Sequence, residues 1–195
     1  MDQQYFRTSD VTQFSIALGS NKPPEGRTSA EIVTAAFAEL DKDPLSLVAR
    51  SALYQSPSFP AGAGPDYVNA AAIVTTRLSP QDMLAHLHDI EAAFGRERQQ
   101  RWGNRVLDLD LLAADQIVLP DRATFEIWRD LPLSQQMTQA PDQLILPHPR
   151  LAERAFVLVP LAEIAPDWRH PVFRQTVRDL RDALPRADVE QVTRL

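Results

Sequence analysis

The sequence predicts an α+β fold of the ferredoxin-like type, in which helices pack against an antiparallel sheet in a βαββαβ sandwich. Strand-like and helix-like hydrophobic patterns follow one another in that order as far as residue 113. A length of 195 residues and a hydrophobic fraction of 44% suit one globular domain. We therefore expect residues 1–195 to form a single domain, with a flexible polar tail over residues 1–12.

The first strand and helix follow from two local patterns. Apolar residues alternate over residues 13–18, which is typical of a half-buried strand. Thr28 and Glu31 then form a capping-box pattern that opens a helix ending near Pro44. Residues 45–54 are predicted to form the second strand.

The second half of the βαββαβ unit repeats this order. Residues 67–76 are small or β-branched, which favours a strand. Ser79 and Pro80 are a good N-cap and first-turn pair for a helix. Its core-facing stripe recurs at spacings of four, three and four residues: Met83, Leu87, Ile90 and Phe94. Residues 106–113 are predicted to be the fourth strand.

A long polar connection separates this unit from the end of the chain. Residues 118–143 are expected to be an insertion with a short helix at 124–130, and its role stays open between a lid and a partner surface. Residues 150–164 and 176–184 have helical patterns, and we expect these C-terminal helices to complete the shell around the sheet.

Composition limits the classes of function. The sequence contains no Cys, shows no secretory signal and has no apolar run long enough for a membrane span, so we expect a cytoplasmic protein. A formal net charge of −6 disfavours nucleic-acid binding, and no obligate protein partner is evident. A local basic cluster suits a small polyanion instead: Arg96, Arg98, Arg101 and Arg105.

The segment after this cluster combines acids with leucines. Asp108 and Asp110 alternate with leucines on a predicted strand, so the two carboxylates share a face and lie roughly 7 Å apart. Oxygen ligands of this kind favour Mg²⁺ over zinc. An edge strand with a solvated acidic face is the alternative, but the neighbouring arginines favour phosphoryl transfer.

Two further groups of residues suggest ligand contacts. Leu84, His88 and Glu91 lie at i, i+4 and i+7 on the helix face away from its core stripe, where they would otherwise be ordinary surface residues. Tyr67 and Asn69 share one face of the third strand. An aromatic ring beside an amide matches a flat polar heterocycle such as a pterin or a purine, although a rim aromatic and a strand-end amide would look the same.

Several motifs in order resemble the 6-hydroxymethyl-7,8-dihydropterin pyrophosphokinase family of folate biosynthesis. They are Ile-Ala-Leu-Gly-Ser-Asn at 16–21, Pro-Asp-Tyr-Val-Asn-Ala at 65–70, Arg-Trp-Gly-x-Arg-x-x-Asp-x-Asp at 101–110, and Leu-Pro-His at 146–148 leading to Arg-Ala-Phe at 154–156. The resemblance implies a ferredoxin-like fold and transfer of the pyrophosphoryl group of ATP to the pterin hydroxymethyl group, with AMP as the other product.

The resemblance also implies roles for individual residues. Asp108 and Asp110 would hold two Mg²⁺ ions, and the implied catalytic set adds Arg96, Arg98 and Arg105. The implied ATP contacts are Leu84, His88, Glu91, Arg98, Arg101, Trp102, Arg105, His148 and Arg154. The implied pterin contacts are Ser56, Pro57, Phe59, Tyr67, Asn69 and Phe156.

This sequence departs from the family pattern at a few positions. Ser56 stands where well-known members have Thr, and His88 replaces an amide side chain. A relative that binds pterin or nucleotide without turnover is the main alternative, but such a protein need not keep Asp108 and Asp110. An RNA-binding module of the same fold would need a basic sheet face, which the acidic composition disfavours.

Overall fold

Six strands form one antiparallel sheet in the part of the chain that the computed structural model describes, namely residues 11–58, 64–95, 105–132, 135 and 139–195. The strands are β1 (Thr12–Ser20), β2 (Ser46–Arg50), β3 (Tyr54–Ser56), β4 (Tyr67–Thr76), β5 (Asp108–Ala114) and β6 (Thr193–Arg194). Their order is β5-β1-β4-β3-β6, and β2 also pairs with β4. The four predicted strands are therefore present, with a break in the second.

The described residues contain six α-helices, and the first two begin where the sequence predicts helix caps. They are α1 (Ser29–Glu39), α2 (Pro80–Ala93), α3 (Arg122–Arg129), α4 (Ala155–Ile164), α5 (Val177–Asp182) and α6 (Arg186–Glu190), with a 3₁₀ turn at Leu151–Glu153. The Thr28 hydroxyl accepts from the Glu31 N–H, and the Ser79 hydroxyl accepts from the Asp82 N–H, so both predicted N-caps are confirmed. No helix within the described residues has the length and apolar character of a membrane span.

The sheet is covered on both faces. The main core lies between the sheet and helices α1 and α2, and includes Phe14, Ile16, Leu87 and Leu109. A second core joins the opposite face to α4 and α5 through Ala71, Leu112, Leu158 and Leu180. The C-terminal helices therefore form a third layer, and any side chain that points away from the main core lies on the α4 side of the sheet.

The prediction of one continuous strand over residues 45–54 is wrong. Ser51 still pairs with Ala71, because its N–H donates to the Ala71 carbonyl at 2.9 Å and its hydroxyl accepts from the Ala71 N–H at 2.9 Å. The next registered pair is Tyr54 with Asn69, so one extra residue lies on the outer strand. This is a β-bulge, and it separates β2 from β3. A hydrophobic pattern of this length does not reveal a bulge.

The insertion packs against the segment that precedes α5. Two backbone hydrogen bonds between Leu119 and Leu146 close its base, and α3 confirms the predicted short helix. Phe125 of α3 is fully buried and contacts the rings of His170 and Phe173, with centroids 5.6 Å and 5.9 Å away. The Trp168 indole donates to the carbonyl of Asp115, beyond the last residue of β5, so α3 and its contacts lie at the end of β5 opposite Asp108.

His170 is the buried titratable group of this contact. Its ring is inaccessible to solvent and stacks on Phe173, and its Nδ1 accepts from the N–H groups of Val172 and Phe173. Burial lowers the pKa of His170 from 6.5 to about 4. Between these pH values the unfolded chain binds the extra proton, so the free energy of unfolding decreases as the pH falls.

We predict that the lowered pKa of His170 decreases the free energy of unfolding by at most about 3 kcal/mol when the pH falls from neutral to about 4. Urea unfolding of the wild type and of His170→Asn at about pH 7 and pH 4.5 measures this contribution. Asn keeps an acceptor for the two N–H groups but does not titrate, so the variant should lose less stability on acidification. An identical pH dependence in both proteins would contradict the prediction.

Candidate active site

Several of the residues with predicted chemistry meet at one end of the sheet, where β1 ends and β4 and β5 begin. Gly19 on β1 lies opposite Asn69 on β4 and opposite Asp108 on β5. Ala17 lies opposite Asp110 in the same register. Because directly opposed residues of an antiparallel sheet point to the same face, the two acids and Asn69 share one face.

That face is the one covered by α4. Leu107, Leu109 and Leu111 are at most 4% exposed and belong to the core formed with α1 and α2, as the alternation predicts. The Asp108 and Asp110 side chains therefore point to the opposite side, where 21% and 32% of their surface remains exposed. The carboxylates are accessible to a ligand but are held on a rigid strand.

Each acid has an arginine beside it. Arg105 Nη1 forms an ion pair with Asp108 Oδ1, and Arg154 Nη1 lies 3.5 Å from Asp110 Oδ2. Burial by itself lowers the pKa of Arg105, but the negative charges of Asp108 and Asp110 outweigh it, so the pKa is raised and the guanidinium stays charged. The two guanidinium groups keep the paired carboxylates from repelling each other and add donors that fit phosphate oxygens.

Asn21 ties the loops around the acids together, and the sequence did not identify it as a site residue. Its side-chain Oδ1 accepts from the Arg105 N–H at 2.9 Å, and its own N–H donates to the Arg105 carbonyl at 3.1 Å. Its Nδ2 donates to the carbonyl of Pro65 at 3.3 Å, just before β4. The available signal was its place at the end of the Gly-Ser-Asn run, where a strand stops and a short polar side chain can bond to backbone groups.

His148 enters from the edge of β5. Its N–H donates to the Leu112 carbonyl at 2.7 Å, and its Nδ1 accepts from the Arg150 N–H at 3.0 Å. The pKa of His148 is lowered to about 3, mainly by burial and then by the positive charges of Arg154 and Arg150. His148 is therefore neutral near pH 7, and the proton on its ring is assigned to Nε2, which makes that nitrogen a donor.

An aromatic ring and an amide lie beside the acids, on the one strand face that the sequence predicts for both. A methyl group at Gly19 would be 3.6 Å from Asn69 Oδ1 and 3.7 Å from Tyr67 Cδ1, so both side chains border the space above Gly19. Asn69 is 4% exposed and donates from Nδ2 to Ser56 Oγ at 2.8 Å. This bond leaves Asn69 Oδ1 as the acceptor and one amide N–H as a donor.

The second aromatic residue is on α4. Phe156 is in the first turn of the helix, is 37% exposed, and has the Arg154 guanidinium 5.7 Å from its ring centroid. Pro57 is exposed directly after β3. Ser56, Tyr67, Asn69 and Phe156 therefore all lie on the α4 side of the sheet.

The prediction that Glu91 lies on the outer face of α2 is wrong. Glu91 is 1% exposed, and its Oε1 accepts from the Leu109 N–H at 2.7 Å. The physical reason is that β5 is an edge strand in the described sheet, so its outward N–H group needs a partner, and α2 packs close enough to supply one. Leu84 also packs on the main core, and His88 is half-buried.

Five predicted residues fall outside the part of the chain that the structure describes: Phe59, Arg96, Arg98, Arg101 and Trp102. Their assignments stay predictions. Among the described residues, no group of three or more His, Asp or Glu side chains could form a complete metal site. Asp108 and Asp110 suit a hard cation that takes only one or two carboxylates from a protein and the rest of its oxygens from water and phosphate, which is how Mg²⁺ is usually held.

A ferredoxin-like sheet that carries paired carboxylates, arginines and a neutral histidine donor at one end is the framework of a phosphotransferase. The comparison with known families narrows this class. Residues 15–166 match the family model described as 7,8-dihydro-6-hydroxymethylpterin-pyrophosphokinase, so the chain belongs to that family.

Individual relatives agree with this assignment. The chain is 36% identical over 183 residues to a 2-amino-4-hydroxy-6-hydroxymethyldihydropteridine pyrophosphokinase of Methylorubrum extorquens, covering 93% of this chain and 99% of the relative. It is 37% identical over 182 residues to the protein of the same name from Pseudomonas aeruginosa, covering 93% and 98%.

The solved structures support the fold. A Plasmodium falciparum HPPK-DHPS structure aligns with 93% of this chain at a TM-score of 0.64 and 14% identity. This chain spans 44% of the length of that protein chain.

The buried position of Glu91 leads to a prediction for the free energy of unfolding. Glu91→Ala should lower the free energy of unfolding by about 2 kcal/mol, because the Leu109 N–H loses its buried acceptor. Asp89→Ala is the matched control, since it removes an exposed acid from the same helix and should change stability by less than about 0.5 kcal/mol. Denaturant titrations compare the two variants; equal effects would contradict the assignment of Glu91 as an edge partner.

Proposed function

We propose that this chain transfers the pyrophosphoryl group of ATP to the hydroxymethyl group of 6-hydroxymethyl-7,8-dihydropterin, giving the pterin diphosphate and AMP for folate synthesis. One observation carries the proposal: within a chain of this family, the paired acids and arginines lie beside Tyr67 and Asn69 on one sheet face. A phosphate-binding region and a heterocycle-binding region are thus adjacent, as a transfer between two substrates requires.

The metal would be held by Asp108 and Asp110. Their oxygens are of the kind that Mg²⁺ prefers, and the two expected Mg²⁺ ions would offset negative charge on the phosphoryl oxygens. Because Asp108 and Asp110 are held by a strand whose other face is buried, they keep a fixed spacing when the charges around them change.

Phosphate oxygens would be bound by the basic groups on the same face. Arg105 and Arg154 are charged donors that can form paired hydrogen bonds to phosphate, and neutral His148 donates from Nε2. The N-terminal end of α4 follows Arg154 directly and adds a partial positive charge. We assign a phosphate contact also to Arg98. We assign Arg101 and Trp102 to the ATP site, with Arg96 in the same catalytic loop.

The pterin ring would lie between Tyr67 and Phe156. Stacking on both faces selects a flat heterocycle, and Asn69 selects its edge, since Oδ1 can accept from the pterin N–H groups while Nδ2 is held by Ser56. Pro57 and Phe59 would border the same ring. Leu84 and His88 would border the adenosine, whereas Glu91 supports β5 from the core side.

The reaction then needs little chemistry from the protein itself. The pterin hydroxymethyl oxygen forms a bond to the β-phosphorus of ATP, and its proton passes to water. The bond from that phosphorus to the oxygen shared with the α-phosphate breaks, so AMP leaves with that oxygen. The residues on this face orient both substrates and stabilise negative charge, which are the main sources of rate enhancement in transfers of this type.

A product assay tests the proposed function. The purified protein is incubated with ATP, Mg²⁺ and 6-hydroxymethyl-7,8-dihydropterin, and the nucleotides are separated. We expect AMP and a pterin diphosphate, with AMP formed only when the pterin is present. ADP as the nucleotide product would indicate a single-phosphoryl kinase, and binding of both substrates without any product would indicate a non-catalytic relative.

Replacing either acid tests the metal assignment. Asp108→Asn and Asp110→Asn should each lower kcat by about 100-fold or more, because a charged Mg²⁺ ligand becomes a neutral amide. Asp115→Asn is the matched control: it changes an acid just beyond the other end of β5, at a φ of 43° that Asn tolerates, and should keep near-normal activity. Full activity in either of the first two variants would disprove the metal assignment.

A further inference from the structure

Glu163, in the last turn of α4, binds the bulge that precedes β3. Its Oε2 accepts two hydrogen bonds, from the Ala52 N–H at 2.9 Å and from the Tyr54 hydroxyl at 2.9 Å. Its Oε1 lies 3.4 Å from Arg194 Nη2 in β6. One carboxylate thus joins α4 to the bulge, to β3 and to the last strand of the sheet.

β3 depends on such tethers because it is short. It contains three residues and pairs with β4 on one side and with the two-residue β6 on the other. A bulge also removes ladder hydrogen bonds from the outer strand and lets it bend. The position of β3 relative to the rest of the sheet is therefore set by side-chain contacts as well as by its own backbone ladder.

The end of β3 forms one wall of the proposed pterin pocket. Tyr54 lies directly opposite Asn69, and Ser56 accepts the Asn69 amide hydrogen bond at 2.8 Å. A shift of β3 would move Ser56 and so change the orientation in which the Asn69 amide presents its acceptor.

Another wall of the pocket is carried by the same helix that carries Glu163. Phe156 is in the first turn of α4, and Glu163 is seven residues further along, about 10 Å along the helix axis. Pro160 lies between the two residues, and the helix is held on the sheet by the buried side chains of Val157, Leu158 and Leu161. The bonds from Glu163 to β3 therefore fix one end of a packed helix whose other end holds Phe156.

We infer that Glu163 is a positioning residue for the pterin substrate: together with Tyr54 it sets the spacing between the β3 wall and the α4 wall of the pocket. The inference rests on the proposed function and its pterin contacts. Glu163 bonds to Ala52, Tyr54 and Arg194 and not to Asp108 or Asp110, so we expect it to affect pterin binding rather than the metal site.

Steady-state kinetics with each substrate varied in turn test this inference. Glu163→Ala should raise the KM for the pterin by about fivefold, the equivalent of one lost hydrogen-bond anchor, while kcat and the KM for ATP stay within about twofold of the wild type. Tyr54→Phe removes one of the two bonds without deleting the ring and should raise the same KM by about twofold to fivefold. Glu163→Gln keeps an acceptor oxygen and should give an effect smaller than that of Glu163→Ala.

Asp167→Ala is the matched control. It removes an exposed acid, 83% accessible and 3.6 Å from Arg178, three residues beyond the last residue of α4. We expect wild-type values for both KM constants. Equal changes in the two KM constants, or an unchanged pterin KM in both Glu163→Ala and Tyr54→Phe, would overturn the inference. If Glu163→Ala does not fold, Tyr54→Phe decides alone.

The wild-type reaction separates the two levels of the proposal. If the wild type makes AMP with the pterin but the variants show no selective change in pterin KM, the proposed function stands and the role of Glu163 is disproved. A wild-type protein that makes no AMP with the pterin loses the proposed function, and the positioning role falls with it.

Discussion

The structure depends on one constraint, which is that two carboxylates must stay on the accessible face of a strand whose other face is buried. Leu107, Leu109 and Leu111 set this register, because a slip of one residue would place the acids in the core. Two neighbouring carboxylates cost free energy when they are partly desolvated and have no partner of opposite charge. Arg105 and Arg154 lower that cost and, because they are charged donors in the same place, also make the face suitable for phosphate.

The segments that form the site are distant in the chain and are joined by a few polar contacts. Asn21 joins the end of β1 to the segments before β4 and β5, the Asn69 amide joins β4 to Ser56 at the end of β3, and Glu163 joins α4 to the bulge. Each contact spans a junction where the backbone ladder stops or is irregular. The third layer, formed by α4 and α5, brings Arg154 and Phe156 over a face that the βαββαβ unit alone would leave uncovered.

Acidic and basic groups are kept neutral or charged by their surroundings. Burial lowers the pKa of both His148 and His170, which lie at different ends of the sheet. His148 is a neutral donor near the acids, while His170 contacts Phe125 between α3 and the segment before α5. The described part of the insertion therefore has a packing role at the end of β5 away from Asp108, and its helix is held by Phe125.

The sequence by itself determined the order of the six elements of the βαββαβ unit, the two N-caps and the family, because alternation, helical spacing and short motifs are local properties. It also predicted the shared face of Asp108 and Asp110 from a period of two. Only the tertiary structure decided the bulge before β3, the burial of Glu91 and the tethers from Asn21 and Glu163. Each of these depends on a partner far away in the chain, such as Leu109 for Glu91 and Ala52 for Glu163. A local sequence pattern carries no information about such a partner.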